Sequence, residues 1–106
     1  SDAFSVCIFE AKKMYDRSLG YNINASLFFV ENSTMKISNL EANYTKITIK
    51  DGSKMENGTL SDITGLFISV INQRKLFMIT FYGQEKDWNQ ISLQEVFRNI
   101  INSTKI

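Results

Sequence analysis

Two neighbouring segments, Leu66 to Ile71 and Leu76 to Tyr82, are apolar at nearly every position. In a β-strand successive side chains point to opposite faces. Leu66, Ile68 and Val70 therefore fall on one face, with Phe67, Ser69 and Ile71 on the other; Leu76 and Met78 alternate with Phe77, Ile79 and Phe81 in the same way. A strand that is apolar on both faces has to be covered on both. One face can take a helix. The other then needs a second helix, a second sheet or a partner chain. Asn72 to Lys75 separates the segments, which suits a four-residue hairpin connection.

Helical patterns stand at the two ends. Phe4, Cys7, Ile8, Ala11 and Met14 recur at i, i+3, i+4, i+7 and i+10, a helical stripe, with Asp2 placed to cap its start and Gly20 to follow its end. Phe4, Val6 and Ile8 also alternate, so a short opening strand is the competing reading. Near the other end, Ser92-Leu93-Gln94-Glu95 has the form of a capping box, with Ile91 and Val96 spaced for a hydrophobic staple. Leu93, Val96, Phe97, Ile100 and Ile101 then share one face, which predicts a helix from about Leu93 to Ser103.

Between them the pattern predicts strands. Tyr21 to Ile23 and Leu27 to Val30 are candidates, the latter followed by a turn at Glu31-Asn32-Ser33; Met35 to Ile37 is another. Tyr44 to Lys50 alternates cleanly, with Thr45, Ile47 and Ile49 on one face and Tyr44, Lys46, Thr48 and Lys50 on the other, the pattern of a half-buried strand. Asp51-Gly52 marks a turn, and the polar stretch Ser53 to Thr64 a mobile loop. The expected architecture is α+β: a twisted antiparallel sheet of about five or six strands, packed by a C-terminal helix, with an N-terminal helix. At 106 residues the chain fits one domain, residues 1–106.

Little in the sequence points to catalysis. The chain has no histidine, which removes the commonest general base and zinc ligand and any Ser-His or Cys-His pair. Its one cysteine, Cys7, lies on the apolar stripe, where a thiol packs as a small hydrophobe. Glu85 and Asp87 sit in the polar stretch Gly83 to Gln90, where solvation is expected rather than the burial a catalytic carboxylate pair requires. The five glycines form no phosphate-binding motif. These features predict a chain that is not an enzyme and takes no metal or other cofactor. A net charge of +1, with Lys and Arg scattered, argues against nucleic acid as a partner, and no apolar run approaches a membrane span.

A single cysteine allows no intrachain disulfide, which favours a reducing, intracellular compartment. Five N-x-S/T triplets, beginning at Asn24, Asn32, Asn43, Asn57 and Asn102, would be glycan acceptors in a secreted chain. A chain rich in Asn, Ser and Thr also forms such triplets by chance.

The order of local words resembles a known family. Leu19-Gly20-Tyr21 is similar to the opening of the polo-box, the C-terminal module of polo-like kinases; Phe29 to Ile37 resembles its first hairpin, Tyr44 to Gly52 the following strand and Asp-Gly turn, and Val96-Phe97-Arg98-Asn99 part of its closing helix. The resemblance implies a non-catalytic protein-interaction module that targets or dimerises a kinase or scaffold, at the centriole, centrosome or cell-division machinery. Phosphopeptide-binding members use a Trp in the opening segment and a His-Lys pair. Here Lys13 or Met14 stands near the Trp position and His is absent, so the resemblance is to the divergent boxes of the centriole-duplication branch. Partner or dimer contact is then expected from Phe67, Ser69, Ile71, Phe77, Ile79 and Phe81. A helix, several strands, a hairpin and a closing helix also resemble the kinase-associated-1 domain, which implies a membrane-binding or autoinhibitory role. A secreted glycoprotein domain is the third reading.

Overall fold

The computed structural model describes residues 2–88 and 90–106, with the side chains of residues 91–93 outside the description. The chain runs as helix α1 (Ala3–Leu19), strands β1 (Ser26–Ile37), β2 (Leu40–Lys54), β3 (Leu60–Asn72) and β4 (Lys75–Gln84), a short helix α2 (Glu85–Trp88), and helix α3 (Ile91–Ser103). The strands form one antiparallel sheet in the order β1-β2-β3-β4.

The α+β class and both terminal helices follow the sequence pattern. The opening segment is helix: the Ser5 amide donates to Asp2 Oδ1 at 2.7 Å, closing the predicted cap. Four strands form where five or six were expected. Tyr21 to Ile23 lies outside any strand. Glu31-Asn32-Ser33 does not turn, because all three residues pair with Lys46, Thr45 and Tyr44, and the chain passes them through a β-bulge between Phe29 and Glu31. The two short strands predicted on either side are thus one long β1.

Two further turns differ from expectation. Asp51-Gly52 is an irregularity within β2, with Asp51 at φ 55°, and the chain reverses only at Met55–Thr59. The β3–β4 connection is two residues long, since Asn72 pairs with Lys75. Gln73 (φ 52°) and Arg74 (φ 65°) both occupy the left-handed region, the geometry that matches the natural twist of a tight hairpin. Ser38 and Asn39 turn β1 into β2 in the same way.

Each face of the sheet carries a helix. On one, Cys7, Ala11 and Met14 of α1 pack on Ile47, Ile49 and Phe67. On the other, Ile101 of α3 joins Ile37, Ala42, Leu66, Ile68 and Val70, with Phe81, Trp88 and Phe97 packed around them. The demand of the first two-faced segment is met within one chain, since Thr64 to Val70 of β3 are buried; in the second, Leu76, Phe77 and Tyr82 stay exposed. Gly65 lets α1 approach closely: a Cβ there would stand 2.5 Å from Met14 Sδ and 2.9 Å from the Phe67 ring.

Helix α3 starts at Ile91, earlier than predicted, with Gln90 at the cap position and no side-chain cap bond. The Ser92 capping box and the Ile91 staple fall on side chains outside the described residues. Val96 and Ile100, expected on the buried face, are 53% and 41% exposed.

Phe67 is fully buried between α1 and the sheet. Phe67→Ala is expected to cost about 3–5 kcal/mol through lost transfer and a cavity. It would be read as a lower urea midpoint at unchanged slope.

Candidate functional site

The groups with chemical potential are tied into the structure. Cys7 is buried; its Sγ lies 3.1 Å from Ser69 Oγ, whose hydroxyl is also within bonding distance of the Ala3 carbonyl. Glu85, expected in a solvated turn, opens α2 and accepts from the Thr48 and Thr64 hydroxyls. Asp62 Oδ1 accepts the Asp51 amide at 2.9 Å, fixing the β2 irregularity. Among the described residues no three of Cys, Asp and Glu gather as a metal site.

A cleft of about 360 Å³ opens between the sheet and the α2–α3 segment. Its walls include Tyr44, Phe81, Trp88 and Phe97. The rings of Phe81 and Phe97 meet edge to face, with centroids 4.8 Å apart. The Lys46 ammonium stands 5.7 Å over the Trp88 ring, so Trp88 is a half-buried aromatic carrying a cation. Gln84 Oε1 is buried without a donor among the described residues. Burial raises the Tyr44 phenol above its ordinary range, and the nearby Glu31 carboxylate adds to the effect.

The six residues expected to form a contact surface do not stay together. Phe67 and Ser69 are fully buried beneath α1 and cannot meet a partner in this fold. Ile79 and Phe81 are half-buried in the cluster around α3. Ile71 and Phe77 remain exposed. The faces of the central strands are covered by the chain's own helices, which removes the argument that those faces need a second chain.

The edges of the sheet provide the accessible apolar surface. On β1, Phe28, Phe29 and Val30 are consecutive and 54%, 47% and 55% exposed. The sequence pattern marks Leu27 to Val30 only as an apolar strand and does not show that it lies at the sheet margin. On β4, Leu76, Phe77 and Tyr82 are exposed. Both strands have one neighbour only and so present unpaired backbone groups. Of the five glycosylation triplets, the one at Asn43 lies half-buried in β2 with a strand on either side.

No family model matches the chain, and no curated protein matches it in sequence.

A phenol whose folded-state pKa is raised contributes no alkaline stability. Its protonated form favours the fold below the unfolded value, and that advantage is lost as pH rises through the folded value. Tyr44 is therefore expected to ionise after an ordinary phenol in an absorbance titration. Tyr44→Phe should reduce the loss of stability seen above about pH 10.

Proposed function

We propose that this chain is a non-catalytic protein-interaction module, polo-box-like in role, that targets or docks a kinase or scaffold. The observation that carries the reading is the run Phe28-Phe29-Val30, about half exposed on an unpaired edge strand. Edge backbone supplies hydrogen bonds to an added strand, and exposed apolar side chains on alternate faces supply pockets and contact area. Exposed apolar residues gathered in one place mark interaction surfaces, whereas single ones do not. A centriolar or centrosomal setting belongs to the same proposal and rests on the polo-box resemblance alone.

The order helix, four strands, helix favours a second reading, a kinase-associated-1-like domain. The supporting feature is the element order; a net charge of +1 gives it little pull towards anionic lipid. No described helix is long and apolar enough to cross a membrane. Co-sedimentation with phosphatidylserine vesicles separates the two readings.

Selection from a displayed library of random extended peptides tests the first. It should yield apolar sequences that bind with micromolar affinity. A Phe28→Asp, Val30→Asp double variant should lose that binding by at least about tenfold, some 1.4 kcal/mol, with the melting curve little changed. Failure to select any peptide, or binding indifferent to both substitutions, would end the proposal.

A further inference from the structure

We infer that the outer edge of β4 pairs with the β4 edge of a second copy of this chain, antiparallel about a two-fold axis centred on Ile79. The proposal rests on the interaction-module reading and names one partner for it.

Sheet edges are normally protected by bulges, prolines or charges. β1 has such protection over its second half, from the bulge between Phe29 and Glu31 through the charges of Glu31 and Lys36, which leaves its first half open. β4 has none. Its ten pairs with β3 run from Asn72↔Lys75 to Ile63↔Gln84 without a break in register. Between Lys75 and Glu85 the chain carries no charge, and it has no proline anywhere. A regular apolar edge of this kind is a template for another strand.

The sequence of the edge is complementary to itself. Directly opposed residues in an antiparallel pair share a face, so a two-fold through Ile79 opposes Leu76 to Tyr82, Phe77 to Phe81 and Met78 to Thr80. Pairing with β3 places Leu76, Met78, Thr80 and Tyr82 on the α1 face and Phe77, Ile79 and Phe81 on the α3 face, so every opposed pair matches in face. Leu76 and Tyr82, 51% and 54% exposed, would cover each other twice in the dimer. Centring the axis on Thr80 instead would set Phe77 against Gly83. Centring it on Met78 would set Lys75 against Phe81.

Charge supports the same arrangement. The turn end of β4 carries Arg74 and Lys75, and the other end runs into Glu85, Lys86 and Asp87. Antiparallel pairing brings the basic end of each copy beside the net acidic end of its partner. Among the described residues the one ion pair is Lys13 with Glu10, so Arg74 and Lys75 are not already engaged. The product is a continuous eight-stranded sheet with closed, isologous symmetry, leaving β1 at both outer edges for other partners.

The test is the solution mass of the full chain by light scattering after gel filtration, over a concentration series. Twice the chain mass is expected, reverting to a single chain in a Leu76→Lys, Tyr82→Lys variant, which opposes like charges at two exposed positions. Register is read separately by oxidative cross-linking. Leu76→Cys combined with Tyr82→Cys should give a covalent dimer, while either change alone should not, and the buried Cys7 does not interfere. A parent chain that stays single at all concentrations overturns the proposal, and so does a dimer that survives the double lysine change or fails to cross-link. None of these outcomes bears on peptide capture at β1, so the two proposals fail independently.

Discussion

Strand β3 sets the terms for every other element. Seven consecutive residues, Thr64 to Val70, are buried, which requires a layer above, a layer below and a strand on each side. β2 and β4 supply the neighbours. Helix α1 supplies one cover and α3 with Trp88 the other. Burying a large apolar side chain contributes about 1.5–3 kcal/mol relative to exposure. Leu66, Phe67, Ile68 and Val70 gain this only if both helices dock. Even the polar members of the run are satisfied there: Thr64 donates to Glu85, and Ser69 bonds within the α1 layer.

Much of this was legible from periodicity. The alternation of Thr45, Ile47 and Ile49 with Tyr44, Lys46 and Thr48 assigns the two faces of β2 as observed: the first three are buried and the second three half-buried. The α1 stripe places Cys7, Ala11 and Met14 inward, and Asp2 caps the helix. What was not legible depended on pairing. Glu31-Asn32-Ser33 has turn composition, yet residues of β2 satisfy its backbone, and a ladder overrides local preference. Four residues between two apolar runs look like a four-residue loop until Asn72 and Lys75 are seen to pair.

The accessible surface was harder to find than the core, for a physical reason. Apolar side chains in a strand have the same pattern whether a helix covers them or nothing does. Phe67 and Phe77 are alike in sequence context, but α1 lies over the first, whereas the second stands on an edge strand. Phe28-Phe29-Val30 shows the converse, an interior-looking run at the margin of the sheet. Exposure here is a property of strand order, which periodicity does not encode.

Strand order also sets a sequence of events during folding. The three ladders all join consecutive strands, so each closes a short loop, and such local pairing is kinetically favourable. Helix α1 is the exception. Its anchor on Ser69 and Phe67 spans some sixty residues: Cys7 meets them at separations of 62 and 60. The helix can form early and find Ile47 and Ile49 of β2, but its apolar stripe is fully covered only once Phe67 of β3 is in place. During synthesis from the N-terminus, Cys7 therefore lacks its Phe67 and Ser69 cover until β3 has been made. The thiol that is sealed in the finished fold has its interval of reactivity before that fold exists.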